Sequence, residues 1–442
     1  MSGKFGRREL MTGLGAMGAF GASRAYAASG APDLATVARD AFLFTLPLVE
    51  IARVRSRVFG LGLKPSKLLI QPGLATPKSR EVTTPNNDTV YAFGFVDLTQ
   101  GPATLTLPAM GERYFSAALM DAYSNNFAVL GTRTTGPDGG RFTLVGPSGA
   151  VDGEAIRSPT PWVWLLCRII VDGPQDLATA RALLGQIKLD AAPPGLPATP
   201  GVPRTASAVA HLGCASAMLK ENPAPLTDLG MLRKIAPLGL GGAFDPAKLT
   251  PAQISQIEAG VAQARALISN PRMGMSEMNG WIYQKSDTGQ FGQDYAYRAR
   301  VALMGLAALP EAEAMYLTAV DTTGRARFDG DKNWKLHFPA GQLPPVDAFW
   351  SLTMYEPTPE GQLFLTENPI NRYAIGDRTP GLKTNADGSL DIWISRADPG
   401  GERSANWLPA PAKGEFAMTL RAYLPKPELS GRTYQAPRVS VA

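Results

Sequence analysis

The 442-residue chain is 45% hydrophobic and 18% charged, with a formal net charge of +5, two cysteines and two histidines. That length and composition suit a globular protein of two or three domains with a large buried core. So few Cys and His argue against an iron–sulfur cluster, a Cys-rich zinc site or a His-built transition-metal site; no cofactor is identifiable, and oxygen-ligated Ca2+ or Mg2+ is the metal chemistry left open.

The first 27 residues, MSGKFGRRELMTGLGAMGAFGASRAYA, read as an export signal. Arg7 and Arg8 resemble a twin-arginine motif, the middle is weakly apolar, and Ala25-Tyr26-Ala27 fits a small-residue cleavage site. The expectation is export by the twin-arginine machinery, cleavage after about Ala27 and a periplasmic mature protein. The segment carries four basic residues (Lys4, Arg7, Arg8, Arg24) and one acidic (Glu9), so its removal lowers the net charge to +2. Without a Lys/Arg run or a basic stripe there is no electrostatic case for nucleic acid. No stretch offers the roughly 18 uninterrupted apolar residues of a membrane span.

After the signal, residues 36–57 show helical periodicity with Pro47 inside it. Strand patterns follow in VYAFGFVDL, ATLTLPA, RYFSAALMDAY, NFAVLGTRTTG and RFTLVGP, each bounded by Gly, Pro or Asp, with a further buried strand over 159–171. Spacing of about ten residues suggests an antiparallel sandwich. Helical periodicity then predicts helices over 176–188, 206–220 and 251–270, and over 291–319 with a break at Pro310. Strands return in ARFDG, NWKLHFP, FWSLTMYE, a hairpin TNADGSLDIWISR turning at Asp387-Gly388, and GEFAMTLRAYLP. The fold class expected is mostly β with α: two jelly-roll-like antiparallel β-sandwiches with a helical middle region. The domains would be 28–175, an N-terminal helix and first sandwich; 176–320, helical; and 321–442, the C-terminal sandwich.

The segments TPNNDTVYAFGFVDLTQGP and ALMDAYSNNFAVLGTRTTG resemble the N-terminal signature of an exported bacterial family, domain of unknown function 1254. FWSLTMYE, NRYAIGDRT, DGSLDIWIS and NWLPAPAKGEFAMTLRAYLP resemble its usual partner, domain of unknown function 1214. The resemblance implies two jelly-roll-type sandwiches with helices between them, and supplies no reaction, cofactor or catalytic residue.

Candidate chemistry falls on polar side chains at strand ends. Asn86, Asn87 and Asp88 open a strand that continues to Tyr91; this is either an Asx-type turn or a site in which Asp88 acts as acid, base or metal ligand beside hydrogen-bonding amides. Asp121 ends another strand beside Tyr123 and Asn125, and with Asp88 would make a carboxylate pair without histidine. Arg168 interrupts the apolar run WVWLLCRIIV, where it would pair with an Asp such as 88 or 121, or anchor an anionic substrate group. His337 is either a strand histidine or a general base, His211 lies on an apolar helical face, and Trp407 either fixes a turn or stacks on a ligand. Cys167 and Cys214 read as two buried thiols, though an exported protein could join them.

Two functions fit. One is an enzyme acting on a carbohydrate-like or ester substrate through carboxylate, Tyr and Arg chemistry. The other is a non-catalytic polar-ligand-binding or envelope-assembly protein. Either way the expected partner is a small-molecule or oligosaccharide-like ligand, with no nucleic acid, no metal assigned and the oligomeric state open.

Overall fold

A computed structural model describes residues 33–80, 83–150, 153–195, 197–270, 272–359 and 361–442. The export signal expected at 1–27 lies outside them. From Leu34 to Ala442 the chain forms one contact unit of mixed α and β structure, with sheets flanking a helical middle. No helix among the described residues is long and apolar enough to cross a membrane.

The N-terminal part is built on a five-stranded sheet with Thr89–Asp97 and Trp162–Ile170 paired antiparallel at its centre. A second, four-stranded sheet covers one face of it, and Ala92, Val96, Leu105, Leu119 and Leu165 fill the space between. Strands 89–97 and 162–170 are apolar along nearly their whole length because the other face is covered too, which is how a sheet buried on both sides reads in sequence. Phe95, Trp164 and Leu166 point that way, into the core under the helix Leu34–Gly60. That helix is buried almost all round. Its partner Pro251–Ser269 crosses it so closely at Gly260 that a Cβ there would sit 2.1 Å from the Ala35 carbonyl oxygen.

The C-terminal part repeats the two-sheet plan. An eight-stranded sheet has Glu415–Pro425 between Ala314–Ala319 and Val346–Pro357, and a four-stranded sheet packs on it through Trp350, Leu352, Leu420, Leu336 and Ile392. Most pairings are antiparallel; the short strand Trp407–Pro409 joins Leu390–Ser395 in parallel.

Two expectations are corrected here. The helix expected over 291–319 is only Tyr295–Met304, and Ala314–Ala319 is an interior strand between Trp281–Tyr283 and Glu415–Pro425. The Ala, Glu and Met of 311–316 favour helix, but six residues bonded on both edges and buried against a second sheet outweigh that local preference. The hairpin expected around Asp387-Gly388 keeps its turn, with Gly388 at φ 81°, but only its second arm is a strand, Leu390–Ser395, which pairs with Trp334–Phe338 instead. Cys167 and Cys214 are buried, unbonded thiols; burial pushes the first up to about 12, with Arg168 opposing, and the second up to about 11.

Candidate functional site

Strand alternation determines what faces the middle of the molecule. Tyr91 and Phe93 lie opposite Arg168 and Leu166 on the N-terminal sheet, and every second residue of a strand shares a face, so Trp164, Leu166 and Arg168 align with them. The C-terminal sheet presents Tyr316 opposite Arg421 and Thr318 opposite Thr419, with Ile282 beside Thr318. These two faces border one cavity of about 270 Å3. The helix Tyr295–Met304 and the turn after it close another side through Tyr297, Arg300, Met304 and Leu306, and the segment before strand 89–97 adds Gln71, Thr84, Pro85 and Asn86.

The asparagine-rich turn is a clamp between the two halves. The Asn86 amide donates to the Tyr423 hydroxyl at 2.5 Å, and the Ser351 hydroxyl donates to the Asp88 carboxylate at 2.6 Å. Tyr355 donates its hydroxyl to the Pro85 carbonyl at 2.8 Å, and Arg421 reaches the Thr84 carbonyl at 2.9 Å. Asn86 also accepts from the Asp88 backbone N–H, the Asx turn that its composition suggests, while Asn87 turns back to the Ala75 carbonyl. Thr84 sits at φ 53°, an unusual backbone state for a β-branched residue. Burial pushes the Asp88 carboxyl above its usual range against the pull of Ser351 and Arg421.

Of the residues nominated from sequence, Tyr91, Asn86 and Arg168 line the cavity; Asn87, Asp88, Asp121, Tyr123, Asn125, His337 and Trp407 do not. Asp121 folds its own loop: it accepts from the backbone N–H groups of Tyr123 and Asn125 at 2.9 and 2.8 Å and from the Asn125 amide at 3.0 Å. Burial raises its pKa, and the cation that opposes this is Arg298, not any group around Asp88. The Tyr123 hydroxyl is spent on the Asn222 carbonyl. Exposed His337 pairs with Asp391 at 2.6 Å in the C-terminal sheet, and buried Trp407 donates to the Ser395 carbonyl at 2.9 Å, fixing the turn.

Arg168 departs most from expectation. It is buried, yet its guanidinium makes no hydrogen bond or ion pair with any described residue, and Nε is fully enclosed without a partner. The aspartate partner expected from sequence is absent because Asp88 is held by Ser351 and Asp121 by its own loop. What surrounds the charge is tyrosine: the Tyr91 ring lies 5.5 Å from it, and Tyr316, Tyr423 and Tyr114 are its other electrostatic neighbours. Burial, first, holds the Tyr423 phenol well above its ordinary pKa, so it stays neutral. Sequence reasoning missed Arg300, Arg421, Tyr316 and Tyr423. All four fall in apparently regular helix or strand patterns, and only Arg421, a charge within FAMTLRAYL, carried a signal of the kind that marked Arg168. Among the described residues no group of three or more His, Cys, Asp or Glu side chains could hold a metal ion.

Residues 66–191 match the family model described as protein of unknown function DUF1254, and residues 313–427 match that of DUF1214. The chain is a DUF1254–DUF1214 protein. Its cavity draws Tyr91 and Arg168 from the first matched segment and Tyr316, Arg421 and Tyr423 from the second, so the site needs both. The crystal structure of the VPA0106 protein from Vibrio parahaemolyticus shares the fold, with a TM-score of 0.68 and 22% identity over 92% of this chain and 100% of that one. A Burkholderia cenocepacia protein is more distant, at TM-score 0.45 and 14% identity over 87% of this chain and 84% of its own. No curated protein matches the chain.

Proposed function

We propose that this DUF1254–DUF1214 protein is an exported, periplasmic binding protein that takes a small molecule into the cavity between its two large sheets. The observation that carries the reading is the cavity itself: about 270 Å3, walled by aromatic and aliphatic side chains interleaved with many polar ones, a concave site of the kind that holds and orients a small molecule. The periplasmic assignment rests on the twin-arginine-like first 27 residues. The three-part division at 175 and 320 and the jelly-roll winding of each sheet pair belong to the same proposal.

The cavity favours binding over the carboxylate-pair enzyme, because no Asp or Glu lines it among the described residues and Asp88 and Asp121 answer to different partners. Turnover of a carbohydrate-like or ester substrate keeps one supporting observation: Tyr91, the tyrosine on the strand that Asp88 opens, lines the cavity beside Arg168. The test is a thermal-shift survey of small polar and amphipathic molecules on residues 28–442, with Thr318→Trp as a variant that fills the cavity. A ligand that binds native protein only raises its melting temperature by mass action. The expected result is a saturable rise in the wild type that Thr318→Trp abolishes; an equal rise in the variant would place the ligand elsewhere and sink the proposal.

A further inference from the structure

We infer that the ligand is an organic carboxylate with an aromatic or aliphatic body, seated with its carboxylate on Arg168, an inference that rests on the cavity being the binding site. Three guanidinium side chains line the cavity, those of Arg168, Arg300 and Arg421, and no carboxylate does among the described residues. The charged side chains that the described residues bring to the wall are therefore cationic, which favours an anion.

The three arginines are not equivalent. Arg421 already donates to Thr353, Tyr355 and the Thr84 carbonyl, and has Asp88 as a nearby opposite charge. Arg300 donates to the Ile268 carbonyl at 2.6 Å. Arg168 donates to no described residue. A buried guanidinium without a counter-charge is costly, and the Tyr91 ring offsets only part of that cost. The missing partner is an anion supplied from outside the chain.

One open fork specifies the anion. A guanidinium matches a carboxylate or a phosphate with two parallel hydrogen bonds, so the donors beside it decide between them. Tyr91, directly across the strand pair from Arg168, has a hydroxyl that makes no hydrogen bond to a described residue and can supply a third. Arg168 and Tyr91 by themselves suit the two oxygens of a carboxylate better than the three of a phosphate dianion. Beyond the fork, the same sheet face continues as Leu166, Phe93 and Trp164, with Met304 on the helix side, an apolar wall that accommodates a hydrocarbon body.

The test uses calorimetric titration of residues 28–442 with 3-phenylpropionate, its neutral isostere 3-phenylpropionamide, and inorganic phosphate. Wild type is expected to bind the carboxylate at least about tenfold more tightly than the amide, as a charge-assisted hydrogen bond implies, with no competition from phosphate. In Arg168→Met the carboxylate should fall to the level of the amide, and Arg168→Lys should recover part of the loss. Equal affinities for carboxylate and amide in wild type overturn the inference, as do preferential binding of phosphate and unchanged carboxylate affinity in Arg168→Met. If Arg168→Met does not fold, the wild-type comparison decides alone. If neither phenyl compound saturates while a neutral ligand binds and is lost in Thr318→Trp, the carboxylate is wrong and the cavity reading stands.

Discussion

At the scale of single residues, Asp88 and Asp121 show how alike two strand-end aspartates look in sequence and how differently they are used. Asp121 is an internal cap: two backbone N–H groups and one amide point at its carboxylate. Asp121→Asn would turn an N–H2 toward the Asn125 amide, so the variant should lose about 1–3 kcal/mol of stability, the usual cost of an unmade buried hydrogen bond. Urea unfolding measures that loss, and titration with a cavity ligand should show an affinity within about twofold of wild type. A large loss of affinity with unchanged stability would return Asp121 to the site. Arg168 was legible as a charge in an apolar run, and both readings of it came from that fact. Which one holds depends on what lies across the sheet, and strand 162–170 alone carries no information about the positions of Tyr316 and Tyr423.

At the scale of elements, the helix Ala208–Glu221 brings His211 against the ring of Phe42 on the long N-terminal helix, with ring centroids 4.4 Å apart. Burial, and secondarily the charge of Arg265, lowers its pKa from 6.5 to about 3. The unfolded chain then binds the proton more readily than the folded one, so this contact stabilises above the unfolded pKa and is lost as pH falls from about 6.5 toward 3. The expected slope is about 1.4 kcal/mol per pH unit within that window. Urea unfolding of wild type and His211→Met at a series of pH values reads it as a difference; parallel curves would show that His211 protonates without penalty. The same scale shows where sequence patterns succeed and fail. The helices at 34–60 and 251–269 were legible because their periodicity persists over many turns, and the capping box of Thr250 and Gln253 marks the second. Ala314–Ala319 was not, because a segment rich in helix-favouring Ala, Met and Leu becomes a strand only through neighbours more than thirty and a hundred positions away in the chain.

At the scale of the whole molecule, the order of sheets, helices and sheets was legible. The cavity was not, since it exists only where a face of one sheet meets a face of the other, and no window of sequence contains both. The opening turn, Thr84–Asp88, is the hinge of that arrangement: it ties the N-terminal half to Tyr423, Ser351, Tyr355 and Arg421 while its Asn86 borders the cavity. Thr84, Pro85 and Asn86 are structural punctuation and site border at once, whereas Asn87 and Asp88 are punctuation alone. Whether Arg168 is held without a partner for the sake of a ligand is tested most directly by one equilibrium measurement. Urea unfolding of ligand-free wild type and Arg168→Met, in a buffer without carboxylates, compares a buried lone charge with an apolar side chain of similar length. The expected result is a variant more stable than wild type, as when buried ionic groups give way to hydrophobic ones. A variant destabilised by about 3 kcal/mol or more, the loss that follows when a partnered buried ion is removed, would contradict it.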